Sequence, residues 1–516
     1  MDQTTSQNAA LEYLASLPSD DPSRPDVKRI DTHANIVFLV GSKAYKVKRA
    51  VKYPFLDYST LALRKEACQA EITYNKSNAP QIYLQALPIA RDTDGTLALA
   101  GSGEILEWAV EMNRFKLSDE LEVKAGKAAI EDALSEQLAD MMVAAHAEAP
   151  LREGSGFYQE LATYVEQNNE AFHEHPDLFP TDQVRHLTET SRTALEFIRD
   201  LILKRGEQGL VRRCHGDAHL RNIVLIDEQP VLFDAIEFSD AIATNDVLYD
   251  LAFLLMDLWE RNQHRAANHV FNRYLDKTRL DEHPEGLAVL PFYLMMRAAI
   301  RSKIAASSAL NQSDPKQKAA QQEQARTYFR YALDFLEPSQ PLLTAIGGLS
   351  GSGKTTLAYS LAPDIGRAPG ARVMRTDVMR KRMLGLNESD KAPDTAYTKK
   401  ASDDVYHAID GDIQSVLAAG HSAIFDAVFA SESERNLIQN IAARVEASFT
   451  GLWLTAPTDI LKKRVANREG DASDATVDVV DQQLNYELGT MSWAEINAAD
   501  NEAATLADAR SVIRKA

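Results

Sequence analysis

The glycine-rich run Gly348-Leu349-Ser350-Gly351-Ser352-Gly353-Lys354-Thr355 constrains this chain more than any other segment. Glycines at that spacing let the backbone close round a phosphate, with N–H groups pointing inward at a helix N-terminus. Such a loop needs a strand before it and a helix after it. Thr344-Ala345-Ile346-Gly347-Gly348 reads as the strand, and Thr356 to Leu361 as the helix. The pattern is a complete P-loop, which predicts an α/β fold with a parallel sheet from about residue 338 to 516. Gly348, Ser350, Gly351, Ser352, Gly353, Lys354, Thr355 and Thr356 are the expected nucleotide-binding residues, with Thr355 also on magnesium.

A second, unrelated phosphate-handling pattern comes earlier. His215-Gly216-Asp217-Ala218-His219-Leu220-Arg221-Asn222 is followed by an apolar strand ending in Leu232-Phe233-Asp234. Phosphoryl transfer needs little covalent help; it needs phosphate charge neutralised and the acceptor held in line. A loop that projects a base and a metal ligand from one short segment meets both needs. The run resembles the His-Gly-Asp-x-His-x-x-Asn motif of aminoglycoside phosphotransferases, choline kinases and related small-molecule kinases. The resemblance implies that Asp217 addresses the acceptor hydroxyl, while Asn222 and Asp234 hold magnesium. His219 would orient the loop, and Arg221 reads equally as a solvated charge.

That family also uses a strand lysine on the nucleotide phosphates, paired with a glutamate on the next helix. Lys46 and Lys48 share a face of the Ala44 to Lys48 strand; Lys46 is the first choice and Lys48 the alternative. Glu71 is the better partner on the helix Leu61 to Asn75, with Glu66 behind it. Glu107 to Met112 falls where the interlobe hinge would be, with Trp108 or Met112 against adenine; for the side chains an ordinary core strand is an equal reading. No glycine-rich loop of the family type precedes the strand.

Beyond the P-loop, Arg372 to Asp377 reads as a strand ending in an aspartate, with Arg380, Lys381 and Arg382 on the turn that follows. Ser422 to Ala427 is an apolar strand containing Asp426, and Arg464 and Arg468 share a helix face. This half is similar to P-loop small-molecule and polynucleotide 5′-hydroxyl kinases, including the gluconate and shikimate types. The resemblance implies Asp377 at the acceptor hydroxyl and Arg380 binding the acceptor. Asp426 would serve as a metal or orienting carboxylate, with Arg464 and Arg468 on a lid. Arg435 reads first as a surface residue and second as a substrate contact.

The organisation fits two domains. Residues 1–337 would form an α+β, bilobal, protein-kinase-like phosphotransferase fold, with a small lobe to about residue 110 and helices after it. A short helix over Leu11 to Leu17, a hairpin over Ile36 to Lys48 and a long helix over Lys316 to Leu336 are expected, with Pro338 marking the break. A formal charge of −19 argues against broad affinity for nucleic acid or anionic membrane. Only Cys68 and Cys214 are present, which points to reduced thiols in a cytoplasmic protein; the N-terminus reads as no signal peptide. The expectation is a kinase with ATP and Mg2+ at two sites, small-molecule acceptors and no obligate protein partner. The alternative is one kinase site gated by a second ATP-binding or scaffold domain.

Overall fold

The computed structural model describes residues 3–53, 56–278, 284–387, 390–467 and 473–515. It divides into two compact units, Met1–Thr163 with Ile202–Asp257, and Tyr164–Leu201 with Leu258–Ala516.

In the first unit six antiparallel strands form one sheet. Their order is Lys28–Asp31, Asn35–Val40, Lys43–Lys48, Glu104–Asn113, Tyr83–Arg91 and Leu97–Leu99. Alternating apolar residues give the sheet two usable faces. The helix Gln3–Ala15 sets Ala10, Leu11 and Leu14 against Phe38, Val47 and Leu87. This helix begins well before the expected Leu11, because its first two turns are polar and carry no apolar period. Leu61–Asn75, capped by the Thr60 hydroxyl, buries Arg64, Ala67, Cys68, Glu71 and Asn75 along one side. That spacing turns Glu71 inward and leaves Glu66 exposed. The hairpin Ile223–Ile226 and Gln229–Leu232 follows, and the largely apolar helix Val247–Glu260 lies behind the loop that precedes it.

The second unit holds five parallel strands in the order Arg372–Arg375, Ala423–Asp426, Leu342–Gly348, Ser448–Thr455 and Ala494–Asn497. The strand that feeds the P-loop is central, and Ile346, Leu357, Val373, Ile424, Leu452 and Ile496 share one core. A strand buried on both faces reads as a continuous apolar run, as the sequence does here. The strand expected to reach Asp377 stops at Arg375. Thr376–Met383 is a helix, with Asp377 in its first turn, where a carboxylate meets the positive end of the dipole.

The same unit contains the helices His264–Thr278, Leu290–Leu310 and Pro315–Leu336. His264–Thr278 covers the sheet edge with side-chain amides. Asn272 Oδ1 accepts from Val373 N–H at 2.8 Å and from Arg372 at 3.1 Å. The Asn268 amide donates to Pro369 and Ala371 carbonyls, both at 3.0 Å, and Arg372 pairs with Asp276. His421 is wholly buried, with Nε2 3.1 Å from the Leu287 carbonyl. These bonds satisfy an edge that would otherwise expose main-chain donors. No described helix is long and apolar enough to cross a membrane.

Candidate active sites

The first site is built on a loop whose backbone is held from behind. Asp250 and Asp257, seven residues apart on the helix Val247–Glu260, are buried. They accept from Gly216 N–H at 2.8 Å and Leu220 N–H at 2.9 Å. His146 Nε2 lies 3.1 Å from the other Asp250 oxygen. His215 bonds the Phe233 carbonyl at 2.9 Å, and burial lowers its pKa, so it serves as neutral scaffold. His219 accepts from Arg221 N–H and lies 3.4 Å from Asp217. Arg221 is exposed and pairs with Glu122.

On this frame Asn222 donates to Asp217 Oδ2 at 2.9 Å, and its carbonyl takes the Phe233 N–H at 2.9 Å, tying loop to hairpin. Asp234 adopts φ +64°, a backbone region that costs a non-glycine residue energy and that recurs at functional positions. Its carboxylate lies 2.6 Å from Lys46 Nζ, which is also 2.8 Å from Glu71. Burial opposes the Lys46 charge, but Asp234 and Glu71 outweigh it and hold the pKa well above the ordinary lysine value. Lys48 is fully buried, 2.5 Å from the second Glu71 oxygen and paired with Glu237. Both lysines therefore meet Glu71, and Lys46 is the one that touches Asp234. Asp217, Asn222 and Asp234 offer only oxygen donors, a set suited to magnesium.

The hinge expected at Glu107 to Met112 is corrected. Glu104–Asn113 is an interior strand paired on both edges, with Lys43–Lys48 and with Tyr83–Arg91, so its backbone is spent in the sheet. The Glu107 carboxylate is buried against Arg64 at 2.9 Å and Gln7 at 2.6 Å.

The second site is a cleft of about 930 Å³ in the P-loop sheet's unit. Ser350 to Thr356 line it, as do Asp377, Arg380, Asp426 and Arg464; Gly348 ends the strand beneath. Gly351 has φ +83°, and a Cβ there would lie 2.5 Å from the Leu461 carbonyl oxygen. Gly353 has φ +92° and open space before it, which leaves the backbone free to meet a phosphate. Thr355 Oγ1 donates to Asp426 at 2.6 Å, and Arg375 Nε lies 3.7 Å from the same oxygen. Burial raises the Asp377 pKa; Arg375 opposes the shift and Asp426 adds to it.

Arg380 is nearly buried, its guanidinium 4.8 Å from the Tyr397 ring centre and donating to the Ala396 carbonyl. Arg435, read as a surface residue, is instead buried. It donates to Phe429, Ala430 and Thr490 carbonyls at 2.8, 3.0 and 3.1 Å, and to that of Leu488. Arg468 lies outside the described residues.

Residues 85–289 match the model of the phosphotransferase enzyme family, and residues 343–488 match that of an AAA domain. The chain thus carries one segment similar to the phosphotransferase family, called the phosphotransferase segment, and one similar to an AAA domain, called the P-loop segment. Uncharacterized proteins of Mycobacterium tuberculosis and Mycobacterium bovis are each 27% identical over 472 residues, covering 90% of either chain. Among solved structures, a choline/ethanolamine kinase family protein from Mesorhizobium loti is 14% identical. It covers 64% of this chain and 99% of its own, with a TM-score of 0.37. A gluconokinase from Sinorhizobium meliloti is 18% identical, covering 34% and 93%, with a TM-score of 0.26.

Sequence reasoning missed several residues around both sites. In the phosphotransferase segment these are Asp250, Asp257 and Glu237. Two acids in the apolar run Leu248 to Trp259 were the available signal, since unpaired carboxylates are almost never fully buried. In the P-loop segment, Gln483 accepts from Ser350 N–H at 2.7 Å, and Asp474 binds around the cleft rim. Neither had a spacing that marked it.

Proposed function

We propose that this protein is an ATP-dependent kinase with two transfer sites, each passing the γ-phosphate to a hydroxyl of a small-molecule acceptor. The observation that carries the reading is that each segment gathers a lysine and two carboxylates at one site. Lys46, Asp217 and Asp234 form one set; Lys354, Asp377 and Asp426 form the other. Magnesium, when bound, supplies the charge neutralisation that phosphoryl transfer requires.

In the first site Asp217 takes the acceptor proton, and Asn222 and Asp234 would hold the metal. Lys46 leaves Asp234 for the phosphates while Glu71 keeps it in place. In the second site Lys354 and Thr355 bind the phosphates and metal, and Arg464 stands over the cleft. Asp377, its pKa raised by burial, is a better base than an exposed aspartate. Arg380 in the cleft lining favours an acceptor that also carries negative charge. Two buried thiols, Cys68 and Cys214, fit a reducing cytoplasm.

The test is a screen of a metabolite extract with radiolabelled ATP and full-length protein, comparing wild type, Lys354→Ala, Asp217→Asn and the double variant. Each single variant is expected to lose its own labelled product, by at least ~10²-fold. One variant that leaves every product unchanged would reduce the protein to a single kinase site beside a nucleotide-binding segment.

A further inference from the structure

Two adjacent residues of this chain occupy the acceptor side of the P-loop cleft as a ligand would. Ser473 and Asp474 both line the cleft, in a stretch without helix or strand that precedes Val477–Gln483. The Ser473 side chain hydrogen-bonds Asp377. Asp474 Oδ2 accepts from the Tyr397 hydroxyl at 2.6 Å and from Ala392 N–H at 3.0 Å; its other oxygen lies 3.2 Å from Lys381 Nζ. The Arg380 guanidinium lies 4.8 Å from the centre of the same Tyr397 ring. One hydroxyl thus meets the Asp377 carboxyl, while one carboxylate meets an ammonium, a phenol and a main-chain amide.

The receiving groups have a fixed spacing. Asp377, Arg380 and Lys381 lie on one short helix at i, i+3 and i+4, so their side chains are neighbours about 5–6 Å apart at Cβ. That is the separation between a hydroxyl and an acid group a few bonds away in one small molecule. Lys381 is 1% exposed, and burying an ammonium there is favourable only when an anion is supplied.

We infer that Ser473 and Asp474 are an internal substitute for the acceptor, and that the acceptor is a small molecule with a hydroxyl near a carboxylate or phosphate. The acceptor's hydroxyl replaces that of Ser473 at Asp377, and its anionic group replaces Asp474 at Lys381, Tyr397 and Ala392. Acceptor binding therefore releases the 473–476 segment. The inference rests on reading the P-loop cleft as a kinase site.

The test uses full-length protein with saturating Mg-ADP, which keeps added anions out of the nucleotide sites. Inorganic phosphate and glycolate are titrated separately by calorimetry against wild type, Asp474→Ala and Asp474→Ala with Lys381→Met. Asp474→Ala is expected to bind one of the two at least ~10-fold more tightly than wild type, and Lys381→Met to remove the gain. Which anion gains separates phosphate from carboxylate recognition. Equal affinities of wild type and Asp474→Ala for both anions would overturn the inference. Should the alanine variant lose Mg-ADP binding, Asp474→Asn is used in its place, with a gain expected in the same direction. Tighter anion binding without any labelled product would leave the subsite standing and remove the kinase reading; labelled product without tighter binding would do the reverse.

Discussion

Removing the Asn272 side chain should loosen the edge strand that leads into Asp377. Asn272 is wholly buried. Its amide oxygen takes the Val373 N–H and an Arg372 N–H, and its nitrogen donates to the Ala371 and Asn268 carbonyls at 3.2 and 3.1 Å. Asn272→Ala strands a buried main-chain donor, which costs about 1–3 kcal/mol, and opens a small void. Arg372 keeps Asp276 and the Asn272 main-chain carbonyl, which limits the loss. The total is about 2–4 kcal/mol, or roughly 30- to 1000-fold in the opening equilibrium. The assay is native-state hydrogen exchange on full-length protein, read on peptides spanning Arg372–Arg375, with Tyr83–Arg91 as control. Asn272→Asp, which restores the acceptor but not the donors, should recover part of the protection. Exchange at Val373 within threefold of wild type in a folded Asn272→Ala protein would refute the reasoning.

Asp217→Asn should abolish transfer at the first site with nucleotide affinity near normal, whereas Asp234→Asn should weaken magnesium-dependent ATP binding; calorimetry with and without magnesium separates them. Arg380→Lys removes the guanidinium that lies over the Tyr397 ring and can bind an anion bidentately, and should raise the acceptor KM ~10-fold, about 1.4 kcal/mol, with a smaller effect on ATP in steady-state kinetics. Burial pushes the His421 pKa down to about 3, with Arg367 adding to the shift, while the unfolded chain titrates near the ordinary value of 6.5. Between those values the unfolded state binds a proton that the folded state refuses, so stability falls as pH drops below 6.5, by up to about 1.4 kcal/mol per unit. Urea midpoints from pH 7 to 5 should show this slope, and His421→Gln should lose that part of it.

What the sequence disclosed was what is local. The P-loop, the His215 loop and the Leu61–Asn75 helix each carry their reason within a few residues. A glycine spacing, a base and ligand on one turn, and a capped apolar stripe are examples. The errors arose where a partner far along the chain decides. The run at Glu107 to Met112 falls at a hinge by family resemblance, yet two neighbours pair both its edges. Arg435 has the surroundings of an exposed residue in sequence, and only the fold supplies four carbonyls around it. Asp377 was assigned to a strand end because Val373 and Met374 are apolar, while Arg375 already terminates the ladder one residue before the helix. The Lys46 and Lys48 alternatives were left open by strand periodicity, which sets both on one face. Their different depths became visible only with Glu71, Asp234 and Glu237 around them.

The cover over the Arg372–Arg375 edge bears on how such a chain is inherited. The phosphotransferase match extends to residue 289, so it includes the helix His264–Thr278 that supplies Asn268, Asn272 and Asp276. A recombination event joining a foreign P-loop segment just after residue 337 would bring an edge strand without the residues that evolved to face it. An open edge of that kind templates pairing with other chains and is selected against. Exchange at the apparent boundary would therefore leave the edge uncovered, and changes at Arg372 would be expected to require changes at Asn272 and Asp276. A swap of one segment alone would thus split a surface from the cover that closes it.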